Sequence, residues 1–279
     1  MNKRAFIYVF HGLLAINLLS SNFFIGRAQL RAEPPVLQGN ALLVLNPAKA
    51  EALVVENSAL LSIPSGTLQV FSSHRNAVSL RNSGKINVDS VALAGGVQMA
   101  PATKATSKNN LPWRNTADPL AKVAEPKTEG WPAHGVVRFN AGDETQLAPG
   151  VYEGIILSGT AKVVLAPGIY VINNLHMNSI ARVRGEGVTL ISTGKFQMEA
   201  SSSPEISAPV DGDTKGIAFW QVRANKGTTS FGASVKALLQ GAVYLPGGTL
   251  EVKNSAKFQA PNLIADSVKV SNSGELLIK

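Results

Sequence analysis

Apolar and polar residues alternate in short runs along most of this chain, and the runs recur. Leu80, Ile86 and Val88 fall on one side of a run over 77–88, while Lys85 and Asn87 fall on the other. That is the period of two of a half-buried strand. The run aligns without gaps with residues 52–63, at an offset of 25 residues. Each copy holds a β-type run, an Asn-Ser pair (Asn57-Ser58, Asn82-Ser83) and a second alternating run. Ala41 to Leu45 precede them as an apolar run ending at Asn46-Pro47, and Ser90 to Leu93 follow as a further run. A second repeat lies in Gln146 to Ser179. Leu147-Ala148-Pro149-Gly150-Val151-Tyr152 returns eighteen residues later as Leu165-Ala166-Pro167-Gly168-Ile169-Tyr170.

The corners recur as well. Asn178-Ser179, Asn254-Ser255 and Asn272-Ser273 repeat the Asn-Ser pair, and Ser158-Gly159 is a variant of it. Asn and Gly tolerate left-handed backbone, so these residues suit a tight corner. The two Ala-Pro-Gly tetrads predict type II turns, and Leu245-Pro246-Gly247-Gly248 predicts a third. Short strands and spaced corners with a loose 18–25 residue period predict stacked coils. The expected fold is all-β: a single-stranded parallel β-helix, right-handed as parallel crossovers are, behind an N-terminal signal or anchor helix. About nine coils at ~4.8 Å spacing predict a rod of roughly 40–45 Å. The expected organisation is a leader at 1–28, a spacer at 29–40, coils at 41–98, a linker or excursion at 99–130 and further coils at 131–279. The excursion is rich in Pro, Lys, Thr and Asn, and Trp113 and Trp131 predict that it packs back onto the body.

The leader changes the picture of location. Lys3 and Arg4 precede a stretch from Ala5 to Gly26 with no charged residue, and Gly26-Arg27-Ala28 fits cleavage after Ala28. Uncut, the same stretch is long enough to span a bilayer. Both readings place the remainder outside the cytoplasm: periplasmic, surface-bound, secreted or anchored at the inner membrane. Membrane contact is then expected only through residues 5–26, if they are retained.

Composition narrows the function classes. The chain has no cysteine, which excludes disulfides, thiol catalysis and Cys-based zinc sites. Net charge is +8, yet the basic residues are scattered along the sequence without interleaved aromatics. No nucleic-acid partner is expected, whereas anionic envelope polymers fit the charge. His11, His74, His134 and His176 show no metal-ligand spacing, and no phosphate loop or nucleophile elbow is present. Asp211-Gly212-Asp213 lacks the remaining oxygens of a calcium loop. A polysaccharide-cleaving solenoid needs grouped carboxylates, and Asp143, Glu144, Glu153, Glu186 and Glu199 follow no coil period. The expected catalytic, cofactor and metal sites are therefore none. Tyr152 and Tyr170 recur at equivalent places, which predicts a packing stack. Exposed side by side, they would instead form a ligand-stacking platform. The final run Leu276-Leu277-Ile278-Lys279 has no evident cap, which predicts an open coil end that pairs with another subunit or partner, unless Lys279 guards it.

The Pro-Gly-aromatic repeat resembles the carboxyl-terminal region of TadG-like proteins of Tad (Flp) pilus-assembly systems, and related envelope β-helix proteins. It is carried by Leu147 to Tyr152 and Leu165 to Ile172. Further likenesses are Asp118-Pro119-Leu120-Ala121, Gly216-Ile217-Ala218-Phe219-Trp220-Gln221, Gly241 to Gly248 and Leu263-Ile264-Ala265-Asp266-Ser267-Val268. Together they cover roughly residues 40 to 279. The resemblance implies a non-catalytic envelope scaffold, structural, adhesive or associated with pilus assembly, and supplies no catalytic residues. The alternatives are a polysaccharide-binding or polysaccharide-degrading β-helix and a bactofilin-like self-assembling scaffold.

Overall fold

A computed structural model describes residues 39–279, so the expected leader lies outside the described residues, as does the spacer up to residue 38. The described strands wind into a parallel β-solenoid of about 11 turns. Its first coils use β1 (Asn40–Val44), β2 (Leu53–Glu56), β3 (Leu60–Val70), β4 (Val78–Arg81), β5 (Lys85–Leu93), β6 (Val97–Met99) and β7 (Lys104–Asn110). The chain then leaves the wall for residues 111–132. It re-enters through β8 (Ala133–Phe139), β9 (Glu144–Leu147), β10 (Gly150–Leu157), β11 (Lys162–Leu165), β12 (Gly168–Met177) and β13 (Arg182–Glu186). The middle coils use β14 (Val188–Met198), β15 (Ser203–Ser207), β16 (Ile217–Gln221), β17 (Thr228–Phe231) and β18 (Lys236–Gln240). The chain ends in β19 (Ala242–Val252), β20 (Lys257–Ala260), β21 (Asn262–Val270) and β22 (Glu275–Ile278).

Each coil contributes to three faces. The first holds β1, β16 and the leading parts of β12, β14, β19 and β21. The second holds β2, β4, β17 and the trailing parts of those long strands. The third holds β9, β11, β13, β15, β18, β20 and β22, with the leading parts of β3, β5 and β7. The 25-residue repeat is the coil step here: Val78 pairs with Leu53 and Lys85 with Leu60. Leu80, Ile86 and Val88 point inward at 6% exposure or less, while Lys85 and Asn87 are exposed.

The two sets of coils do not stack in chain order. β21 pairs with β19 on one side and with β1 and β2 on the other. β22 lies between β20 and β3. The last coil is therefore covered by the first, and the expected open C-terminal end is corrected: both edges of β22 are occupied. An asparagine ladder crosses this junction. Asn272 Nδ2 donates to Asn254 Oδ1 (3.0 Å), Asn57 Nδ2 to Asn272 Oδ1 (2.8 Å) and Asn82 Nδ2 to Asn57 Oδ1 (2.8 Å). These asparagines have φ between 48° and 55°, and the serines after them have φ between 59° and 64°. Two successive left-handed residues make a tight corner at these four pairs, as expected, whereas at Asn178-Ser179 only the serine is left-handed.

The Pro-Gly corners differ from the sequence reading. Gly150 and Gly168 have φ of 153° and 142°, far from the value near +80° of a type II turn. Leu245-Pro246-Gly247-Gly248 lies inside β19, at a register shift before Thr249. The copies are also out of step. Leu147 pairs with Leu165, but Gly150 pairs with Tyr170, because the later coil takes two more residues around its corner. Glycine is needed at 168 because a Cβ there would lie 2.4 Å from Cγ of Pro149.

Two apolar layers hold the wall. The inner one fills the solenoid with residues such as Leu61, Phe196, Phe258 and Leu276. The outer one lies on the first face and comprises Leu43, Val171, Ile191, Ile217, Trp220, Ala242, Tyr244 and Ile264, with Leu120 added from the excursion. The first face is buried on both sides, so its strands read as continuous apolar runs, as in β16, where every residue is buried.

The covering element is the excursion. Lys104 to Asn110, expected as linker, are the strand β7, and that shortens the strap to residues 111–132. The strap starts beside β5, where Leu111 N donates to Val91 O, and ends where Val151 N donates to Pro132 O. These points lie at opposite ends of the stack. About 11 coils at ~4.8 Å span ~50 Å, more than the expected 40–45 Å; β7, beyond the expected boundary at residue 98, completes one of the two added coils. Some twenty extended residues reach ~70 Å, enough to cover that length with slack. Trp113 packs edge-on against Phe71 (5.1 Å) and Trp131 joins the outer layer, as expected.

A clasp fastens the strap at mid-length. Asp118 accepts from Leu120 N (2.9 Å) and from the Tyr244 hydroxyl (2.6 Å). Arg223 Nη2 donates to the carbonyls of Leu120 (2.8 Å), Ala121 (2.9 Å) and Val123 (3.2 Å). The Arg223 guanidinium lies 5.9 Å from the Trp220 ring centroid and 5.6 Å from that of Tyr244.

Burial pushes the phenols of Tyr152, Tyr170 and Tyr244 up; the Asp118 carboxylate adds to the effect at Tyr244. The native state thus holds its phenol protons after the unfolded chain releases them near pH 10. Their stabilisation is complete below that pH and is lost as pH rises above it. Denaturant unfolding at pH 8 and pH 11 checks this: the midpoint is expected to fall at pH 11, and less so in Tyr244→Phe.

Candidate functional site

The third face carries the longest charged feature. Its coils bring into one row Glu144, Lys162, Arg182, Ser203, Lys236, Lys257, Glu275, Leu60, Lys85 and Lys104. The side chains alternate with buried neighbours such as Val163 and Val183, so they stand outward. Neighbours in the row are one strand spacing apart, ~4.8 Å. Lys162 pairs with Glu144 (3.3 Å) and Lys257 with Glu275 (2.9 Å), both across the solvated surface. Exposed pairs of this kind contribute little. Arg182 and Lys236 lie exposed between them, and the next row adds Arg184, paired with Glu205 at 3.1 Å. Basic residues that are scattered in sequence are thus aligned along the solenoid axis.

The second face holds an open groove of about 360 Å³ lined by Lys195, Gln197, Thr228, Ser230, Thr249, Glu251, Lys253 and Lys269. Its charges are largely neutralised in place. Glu251 pairs with Lys253 (2.6 Å), and Lys269 pairs with Glu56 (3.0 Å), which also holds Arg81 (3.1 Å).

The acids weighed from sequence do not converge. Asp143 accepts from the backbone N of Asn140, and Glu144 and Glu186 stand on the third face. Glu153 is exposed in β10, and Glu199 accepts from Gln197 Nε2. His74 accepts from Asn76 N, His134 stacks on Tyr152 (4.5 Å), and His176 lies on the second face. Asp211 and Asp213 are exposed. Among the described residues no group of acids and histidines is placed to share a metal ion.

Tyr152 and Tyr170 are 2% and 0% exposed, and their rings stack at 6.0 Å and 21° inside the wall. Their hydroxyls donate to Ala148 O (2.6 Å) and to Leu147 O (2.7 Å). The ligand-stacking alternative is corrected on this ground: neither ring offers a face to solvent. The rings hold the stack although they are not register partners, since Tyr152 pairs with Ile172.

Comparison with protein-family models, curated proteins and solved structures returned no match. The third-face row had one local signal. Each basic member follows directly on the residue that closes a corner, as in Gly84-Lys85, Ala161-Lys162, Ala181-Arg182, Val235-Lys236 and Ala256-Lys257.

Proposed function

We propose that this chain is a non-catalytic extracytoplasmic scaffold of a bacterial envelope that holds linear anionic polymers along its third face. The carrying observation is the row Lys162, Arg182, Lys236 and Lys257, interrupted once by Ser203. A polyanion lying parallel to the axis meets a cation at four of the five coils from Lys162 to Lys257, with Arg182 and Lys236 outside the ion pairs to Glu144 and Glu275, and an excess of surface charge of one sign raises local counter-ion concentration. The strap supports the scaffold reading, because it ties the length of the wall into one body. The basic start and uncharged stretch up to Gly26 support export, by cleavage after Ala28 or retention of residues 5–26. The motif order resembling TadG-like proteins supports an envelope setting, with pilus assembly as its context. We take the winding as right-handed, the hand of parallel crossovers.

The test is titration of the purified chain with polygalacturonate, with neutral dextran as the control. Polygalacturonate is expected to bind and to weaken with added salt. Arg182→Glu combined with Lys236→Glu is expected to lower the affinity about tenfold or more, the scale set by like-charge contacts. Equal binding of dextran, or an unchanged double variant, would overturn the reading.

A further inference from the structure

We propose that copies of this chain stack head to tail, the end formed by β6 and β7 of one copy seating on the end formed by β8 and β9 of the next. The inference is independent of polymer binding and rests on how the two ends are built.

Among the described strands, β6 pairs only with β4, β7 only with β5, β8 only with β10 and β9 only with β11. Each end thus leaves a row of backbone donors and acceptors unpaired, a template for another chain. Both ends have the same second-face and third-face layout, so a second copy can continue the ladder in parallel.

The rows match across such a joint. On the second face the inward row running through Val55, Leu80 and Met99 continues into Phe139 and Leu157 of the next copy. The row through Leu53, Val78 and Val97 continues into Val137 and Ile155. Val97 and Met99 are 44% and 48% exposed, large apolar side chains at a place where every coil between the two ends buries its counterpart. Val137 and Phe139 are half-buried at the other end. Stacking would bury both pairs.

The charges match too. The third-face row ends in Lys85 and Lys104 at one end and begins with Glu144 and Lys162 at the other. A head-to-tail joint places Lys104 of one copy against Glu144 of the next, whereas joining two like ends would oppose Lys104 to Lys104 or Glu144 to Glu144. This complementarity selects a second copy in polar order as the occupant. Such a heterologous contact does not close on itself and builds a filament.

Sedimentation velocity over a wide concentration range, with negative-stain microscopy, tests the proposal. The chain is expected to form rods with an axial repeat of ~50 Å, the stack of its coils. Met99→Glu puts a charge into the joint at an exposed position, so the monomer keeps its fold by circular dichroism and the rods are lost. Lys104→Glu and Glu144→Lys are each expected to raise the concentration for assembly about tenfold, and the doubly exchanged chain to restore it. A chain that stays monomeric throughout, with Lys104 acting only to guard the edge, overturns the proposal. So do assemblies that Met99→Glu leaves intact or that lack the axial repeat.

Discussion

Trp220→Ala is expected to lower the stability of the folded chain by about 4 kcal/mol, in the range for emptying a large aromatic site. Trp220 is fully buried, although its place in β16 is on the outer side of the wall. It is covered by the strap, meets Tyr244 edge-on at 5.8 Å and lies under the Arg223 guanidinium. Removing the indole opens a void between wall and strap. It also takes away the surface on which Arg223 is held while it donates to the carbonyls of the strap. Local loss is therefore expected to exceed what the melting temperature reports. Limited proteolysis is the sensitive measurement: the variant should be cut within residues 111–130 under conditions that leave the parent chain whole. Equal cleavage of both would mean that the strap is held from elsewhere.

Leu276→Ala is expected to cost about 3 kcal/mol, the middle of the range for a buried leucine. The position makes this informative. Leu276 is close to the end of the chain, where residues ordinarily fray and substitutions do little. Here it is 0% exposed and pairs with Phe258 on one side and Leu61 on the other. The loss should therefore match that of Leu61→Ala in chemical denaturation. A cost near zero would mean that the last coil is not covered.

The first coils were legible because coil length there is constant, which it is not in the Pro-Gly repeat. Residues 52–63 and 77–88 keep one length and one corner type, so an offset of 25 aligned them as the register does. The Asn-Ser corners were legible because few residues other than glycine accept left-handed backbone. Elsewhere the coil step runs from 18 residues, between Glu144 and Lys162, to 33, between Ser203 and Lys236. That spread hid the basic row, whose members align only when the loop before β16 is folded out of the wall. β7 was hidden for another reason. It lies in the end coil, where Ala105 and Ser107 stand opposite Ile86 and Val88 and leave no apolar alternation to read. The covering of β22 by β3 was not legible either, since the order in which coils stack is set by where the strap carries the chain.

The strap also accounts for the further motifs of the resemblance, outside the Pro-Gly-aromatic repeat. Asp118 and Leu120 from one, Trp220 from another and Tyr244 from a third meet at the clasp, while Ile264 lies in the same outer layer. Those residues serve the joining of strap to wall. The proposed polymer-binding row and stacking ends lie elsewhere, on the third face and at the two ends of the coil stack.

The central claim is that the first coil seats on the last. Ser62 and Leu277 are register partners on the third face, although the chain between them passes through nearly every other coil. In-register neighbours in a parallel sheet are ~4.8 Å apart, inside the span a disulfide tolerates. The chain has no cysteine of its own, so a chain carrying Ser62→Cys and Leu277→Cys reports this contact alone. Mild oxidation is expected to give an internally cross-linked monomer that migrates faster on a non-reducing gel. A chain carrying Ser62→Cys and Leu238→Cys, three coils or ~14 Å apart along the same row, should stay open. An open chain or only intermolecular dimers from the 62/277 pair would contradict the stacking of the two halves.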